Sequence, residues 1–373
     1  MANIFSTLPE IFLQKLESQN ITIPAKVQEE VIPVIREGKN TVFQSETGTG
    51  KTLAYLLPIF EKLSSEKNPE KSAEVLICAP TFELASQIKQ TVQTFSDFKA
   101  ALLIGGAPIK RQTEALKEKP EIVVGTPARL VELIRLKKLK TQGIKFVVFD
   151  EIDRLLKKEV FDETKALTDI VPAESQKIAC TATVCEKTKN FFLDAKFVVL
   201  PDENVLSKNI SHWAFYAESR NKIDVLIRLI RVTEFEKILV FTSRLDQVEK
   251  IKERLMFKKI GCAALHAKTD KQLRKAAIDR FRSGKEKILI TSDLSARGLD
   301  IQGITHIVQL DFPEDEDFFI HRAGRTARAG KKGVNIVIGD EFELNAFSRL
   351  EKKLKIVVYP KEIRDGKIVE PRI

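Results

Sequence analysis

Two short stretches carry the residues best suited to chemistry: SETGTGKT from Ser45 to Thr52, and DEID from Asp150 to Asp153. The first follows a strand-like run and leads into an apolar helical pattern, the setting a phosphate-binding loop needs. Gly48 and Gly50 let the backbone turn successive N–H groups toward phosphate oxygens at a helix N-terminus. Ser45, Glu46, Thr47 and Thr49 complete that loop. Lys51 would reach the β- and γ-phosphates, and the Thr52 hydroxyl would bind Mg²⁺. Ser45 stands where the strict pattern has Gly. A plain Gly-rich turn with a surface lysine is the alternative, and the strand, loop and helix order argues against it.

The acidic stretch closes the mostly apolar run KFVVF. Three carboxylates in four positions repel one another and are costly to desolvate. Acidic residues also gather at helix N-termini, where the dipole favours them, so the stretch alone is ambiguous. A phosphate loop elsewhere in the chain resolves it. Asp150, at a strand end, would hold Mg²⁺ through its water shell, and Glu151 would orient and deprotonate an attacking water.

These groups need a scaffold. At 373 residues the chain is long enough for two domains. With 43% hydrophobic and 31% charged residues its composition is that of an ordinary globular protein. A formal charge of +10 favours a polyanionic partner. No run of about 18 apolar residues suggests a membrane span, and MANIFSTLPE has no secretion-signal pattern. Cys78, Cys180, Cys185 and Cys262 form neither a metal spacing nor a disulfide framework. The expectation is a cytoplasmic, reduced protein with no membrane contact.

Strand-like runs alternate with amphipathic stretches in two series. The first comprises 40–44, 75–79, 122–124, 146–149 and 177–180; the second comprises 238–241, 261–265, 287–290, 306–310 and 334–338. Helical patterns at 52–62, 83–95 and 247–256 lie between them. Alternation of this kind predicts an α/β chain of two mainly parallel sheets flanked by helices. The periodicity breaks around LPDENVLSKNI, which places domains at 1–203 and 211–373 with a linker at 204–210.

With the phosphate loop and acidic motif in this order, the chain resembles the DEAD-box family of RNA-dependent ATPases, over nearly its whole length. The resemblance implies two tandem RecA-like domains. Ile152 replaces the family's Ala, a change expected to affect packing rather than metal. Asp153 would pair with the family's Ser-Ala-Thr motif, here Thr181-Ala182-Thr183. The segment from Phe5 to Gln28 looks like the adenine-reading segment: Phe5 would stack on the base, and the Gln28 amide offers a donor and an acceptor together. Ala25 replaces a capping Thr there. HRAGRTARAG matches the arginine motif, so Arg325 and Arg328 are implied arginine fingers, with His321 and Arg322 coupling them to the rest of the site. Asp300 would contact the ATP ribose, and Arg297 and Gly298 would shape its loop.

The same resemblance implies RNA contacts at Pro80, Thr81, Gly105, Gly106, Thr126, Pro127 and Arg129, and at Ser243, Arg244, Arg274 and Ser292. Small residues and hydroxyls at loop ends suit a phosphate backbone read without much regard to sequence. Phe82 replaces the usual Arg and removes one cation. Lys271 stands for a usual Gln, and Ala267-Lys268 for a usual Gly-Asp. The phosphate loop belongs to one domain and the arginine motif to the other, so cleft closure favoured by RNA would complete the ATP site. The implied activity is ATP hydrolysis stimulated by RNA and coupled to local duplex unwinding or remodelling of RNA–protein complexes. Without an added RNA-binding tail, the expectation is that protein partners supply target choice or that it is broad. A DNA translocase of the same superfamily, or an RNA clamp that scarcely unwinds, are the alternatives.

Overall fold

A computed structural model describes residues 3–45, 49–66, 68, 72–182, 184–200, 205–266, 269–292, 301–313, 316–327 and 331–371. The chain divides into two units, Met1–Asp202 and Glu203–Ile373. The expected residues Glu46, Thr47, Gly48, Thr183, Ala267, Lys268, Arg297, Gly298, Asp300 and Arg328 lie outside the described residues, as does the side chain of Lys271. Among the described residues no helix is long and apolar enough to cross a membrane.

The first unit carries seven strands: β1 (Thr41–Gln44), β2 (Val75–Cys78), β3 (Ala100–Leu103), β4 (Ile122–Gly125), β5 (Phe146–Asp150), β6 (Gln176–Thr181) and β7 (Lys196–Val199). They form one sheet in the order β3-β4-β2-β5-β6-β1-β7. Every pairing within it is parallel. Strands such as VLIC and FVVFD are buried along their whole length, because helices cover both faces and leave no polar side. Alternation sends Phe146 and Val148 into one core and Val147 and Phe149 into the other.

The second unit repeats the plan. Its strands are β8 (Ile210–Tyr216), β9 (Ile238–Phe241), β10 (Ala263–Leu265), β11 (Ile288–Thr291), β12 (His306–Gln309), β13 (Gly333–Gly339) and β14 (Val358–Pro360). Their order is β10-β11-β9-β12-β13-β8-β14, again with parallel pairing. A hairpin of β15 (Glu362–Arg364) and β16 (Lys367–Val369) follows, antiparallel. Its turn, Asp365-Gly366, has φ of 49° and 71°. Two successive positive φ values give the primed turn that matches strand twist, and Asp-Gly is a favoured pair there.

A parallel sheet puts the carboxyl ends of its strands along one edge, where ligands of open α/β sheets bind. In the first sheet this edge divides in two. Neighbours β5, β6 and β1 lead into the acidic turn, the Thr181 turn and the phosphate loop. Neighbours β3, β4 and β2 lead into Gly105-Gly106, Thr126-Pro127 and Pro80-Thr81.

Close packing at that second group depends on Gly125. A Cβ there would lie 2.4 Å from the Leu103 carbonyl and 2.7 Å from Leu130 Cδ2. Gly125→Ala is therefore expected to destabilise the first unit by ~1–3 kcal/mol, read as a lower midpoint in urea unfolding. An unchanged midpoint would mean that β4 and the following helix have room to relax.

Candidate functional site

Ser45 follows β1, and its backbone N–H donates to the Thr181 carbonyl at 3.1 Å, tying the loop's start to β6. Across the loop, the Ser45 and Thr49 hydroxyls lie 2.6 Å apart. Gly50 has φ of 90°, and a Cβ there would stand 2.6 Å from Gln28 Nε2. The left-handed backbone demands Gly at that position, and a side chain there would displace the Gln28 amide. Lys51 and Thr52 open the helix Lys51–Ser65, whose next residues are buried from Leu53 to Phe60.

Asp150 is 3% exposed. Burial pushes its carboxyl up from the usual range, and the Lys51 charge opposes that. Both oxygens hold donors: Tyr55 Oη–H to Oδ2 at 2.9 Å, and Cys180 Sγ–H to Oδ1 at 2.8 Å. Sequence reasoning missed these two residues. A signal existed for Tyr55, because Lys51, Thr52 and Tyr55 share one helix face at the i, i+3 and i+4 spacing. Cys180 follows from register, being the Cα partner of Asp150 across β5 and β6.

Glu151 begins a short helix in left-handed conformation, with φ 53° and ψ 54°. A non-glycine residue held there is a mark of strain that surrounding structure must maintain. Its carboxylate accepts from Arg154 Nη1 at 2.8 Å, with the two side chains 13% and 8% exposed. Arg154 thus supplies the cation that the acidic turn needs. Ile152 is fully buried in the core. The Thr181 hydroxyl donates to Asp153 Oδ1 at 2.9 Å, so the structure brings the acidic motif and the β6 turn together.

Gln28 is 3% exposed. Its Oε1 accepts from the Ala25 N–H at 2.9 Å and its Nε2 donates to the Gly50 carbonyl at 3.2 Å. One N–H and one lone pair remain for a base. The amide also replaces half of the cap that Ala25 lacks, since no side chain caps that helix at Ala25. Phe5 lies 3% exposed within the apolar core. The structure uses its ring for packing, and stacking on a base would require uncovering a face of it.

On the other half of the edge, Thr81 caps the helix Phe82–Phe95, its Oγ1 accepting from the Leu84 N–H at 3.3 Å. Pro80 precedes it, and Phe82 is 36% exposed. Gly105 and Gly106 are exposed, with nothing near where a side chain would be. Gln112 frames their loop: Oε1 accepts from the Ile104 N–H at 3.0 Å, and Nε2 donates to the carbonyls of Ile104 and Ala107. Arg129, expected to meet RNA, donates to the Ala107 carbonyl at 2.9 Å and pairs with Glu132, with its side chain 10% exposed. It braces the Gly105-Gly106 loop against the helix Pro127–Arg135 that Thr126 begins.

In the second unit Arg244 is exposed and paired with Asp246 at 3.2 Å. Asp311 Oδ2 accepts from the Thr242 hydroxyl at 2.6 Å and from the Ser243 N–H at 2.9 Å. Arg274 lies on the helix Lys271–Arg282. Ser292, expected at a phosphate, is 3% exposed. His321 and Arg322 end the helix Glu316–Ala323, and Arg325 follows in the next turn. All three are buried, at 7%, 2% and 8% exposure. Thr326 pins that turn through its hydroxyl, which donates to the Ile304 carbonyl at 2.6 Å.

Residues 25–191 match the family model for the DEAD/DEAH box helicase, and residues 221–330 that for the helicase conserved C-terminal domain. The DEAD-box ATP-dependent RNA helicase CshC of Bacillus cereus is 38% identical over 356 residues, covering 93% of this chain and 90% of that protein. The probable ATP-dependent RNA helicase YfmL of Bacillus subtilis is 34% identical, covering 92% of each. Among solved structures, Saccharomyces cerevisiae Dbp5 bound to RNA and ADP BeF3 matches with a TM-score of 0.83 at 27% identity, covering 96% of each chain. The chain belongs to the DEAD-box family of ATP-dependent RNA helicases.

Proposed function

We propose that this protein hydrolyses Mg²⁺-ATP at the loop from Ser45 to Thr52 in response to RNA, and uses the cycle to open short duplexes or remodel RNA–protein complexes. The observation that supports this reading best is the divided edge of the first sheet, where the ATP-type turns follow β5, β6 and β1 and the RNA-type turns follow β3, β4 and β2. The two groups meet at the β2–β5 pair. A shift at one group therefore has a short, stiff route to the other.

Lys51 binds the β- and γ-phosphates, and Glu151 orients and deprotonates water, steered by Arg154. The donors available for Mg²⁺ are the Thr52 hydroxyl and the Asp150 carboxylate, hard oxygen ligands that fit this ion. Mg²⁺ held by these two groups would supply charge neutralisation to the bound nucleotide. Gln28 reads adenine with its remaining N–H and lone pair. Arg325 and Arg328 add positive charge at the γ-phosphate. The first unit carries the phosphate loop and the acidic turn and the second carries the arginine motif, so either alone is incomplete.

RNA is held by its backbone through Thr81, Gly105, Gly106 and Thr126 in the first unit and Ser243, Arg244 and Arg274 in the second. Four free cysteines suit a reducing, cytoplasmic setting. The relatives favour neither the DNA translocase nor the clamp.

Steady-state ATPase activity should rise about tenfold or more with single-stranded RNA and little with single-stranded DNA, as expected for coupling free energies of about 1–3 kcal/mol. Glu151→Gln should lower kcat by about 10² or more. Activity indifferent to RNA would overturn the reading. Tyr55→Phe keeps the ring and removes one donor from Asp150. It should raise the Mg²⁺ needed for half-maximal binding of a fluorescent ADP by about fivefold, the worth of roughly 1 kcal/mol. An unchanged Mg²⁺ requirement would show that Tyr55 does not orient Asp150.

A further inference from the structure

A row of buried polar side chains crosses three adjacent strands of the second unit's sheet. We propose that Gln309, Asn335 and His212 form a positioning relay that holds Arg322 of the arginine motif and ties it to the segment where the second unit begins. Gln309 lies on β12, Asn335 on β13 and His212 on β8, three adjacent strands. Asn335 and His212 are Cα partners. Gln309 partners Val337, two residues along from Asn335 and so on the same face. All four side chains are at most 2% exposed.

The direction of every hydrogen bond follows from Arg322, whose guanidinium can only donate. Its Nη1 donates to Gln309 Oε1 at 3.2 Å and to the Asp311 carbonyl at 2.7 Å. Gln309 Nε2 then donates to Asn335 Oδ1 at 2.8 Å. Asn335 Nδ2 is left to donate to His212 Nδ1 at 3.1 Å, and the ring's Nε2–H donates to the Leu206 carbonyl at 2.7 Å. Donors aligned head to tail polarise one another. Burial lowers the His212 pKa to about 4, which keeps the ring neutral and Nδ1 able to accept.

Both ends of the row point to use. At one end, Arg322 also stands over the Phe241 ring, 5.4 Å from its centroid. Asp311, whose carbonyl it binds, holds Thr242 and Ser243 through its carboxylate. At the other end, Leu206 lies in the helical turn Val205–Lys208, just past the division between Asp202 and Glu203. Buried polar rows contribute less to stability than well-packed apolar ones, and β9 and β11 in the same sheet are buried along their length without one. The relay makes the position of Arg322 depend on how the entering segment is seated.

This inference rests on the proposed catalytic role of the arginine motif, so the test in the full-length protein includes Arg325→Ala. His212→Phe preserves the ring that packs 5.9 Å from Phe319 and 6.5 Å from Phe347, and it removes both ring nitrogens. It should leave the KM for ATP within about twofold and lower RNA-stimulated kcat about fivefold or more. His212→Gln, which accepts at one end and donates at the other, should recover kcat to within about twofold. A folded His212→Phe protein with normal kcat, or a His212→Gln protein as impaired as His212→Phe, overturns the relay. Loss of activity in Arg325→Ala alone would leave the arginine reading standing without the relay, whereas an active Arg325→Ala would overturn both. Should His212→Phe not fold, Gln309→Met breaks the row beside Arg322 and is judged by the same split between kcat and KM.

Discussion

A carboxylate buried at the end of a central parallel strand is costly, and much of the first unit is arranged around meeting that cost at Asp150. Tyr55 and Cys180 donate to its two oxygens, and Lys51 places a positive charge nearby. Each donor comes from a different part of the scaffold: Tyr55 from the helix after the phosphate loop, and Cys180 from the neighbouring strand. The position of Asp150 thus depends on the β5–β6 register and on where that helix begins, and the Gly50 backbone sets the second of these. Glu151 next to it sits in a strained conformation, fixed by the ion pair to Arg154. A pre-set carboxylate geometry of this kind is what a hydrolytic site requires.

The same economy shows in the side chains that hold loops rather than ligands. Gln28 joins the Ala25 turn to Gly50, Gln112 and Arg129 support the Gly105-Gly106 loop, and Asp311 holds the turn after β9. The Gly105-Gly106 backbone and Ser243 are left exposed, and the polar groups behind these loops set their shape. That division accounts for the burial of Arg129, which a reading of motifs alone assigns to RNA.

Much of the fold was legible because parallel strands buried on both faces read as unbroken apolar runs: VLIC, FVVF, ILVF and ILIT each became a strand. Strands that depart from this pattern were missed. In β3, AALL has weak strand preference and sits at an edge. In β8, ISHWAFY is interrupted by Ser211 and by His212, whose polar atoms are satisfied inside the sheet. Site residues were legible where spacing along the chain carries the chemistry, as from Gly50 to Thr52 and from Asp150 to Asp153. Tyr55, Cys180 and the row from Arg322 to His212 depend on helix face and strand register, which become visible only once the sheets are assembled. Phe5 illustrates the opposite limit, since its place in the chain suggests stacking on a base while its ring packs in the apolar core.

The central claim is that ATP-type and RNA-type turns on one sheet edge are energetically linked. Linkage between two ligands is reciprocal and measurable at equilibrium. The most direct test is the affinity of single-stranded RNA for the full-length protein, measured with and without a non-hydrolysable ATP analogue. The account predicts that the analogue tightens RNA binding about tenfold or more, within the usual range of about 5–150-fold for coupled sites. Equal RNA affinity with and without the analogue would contradict it.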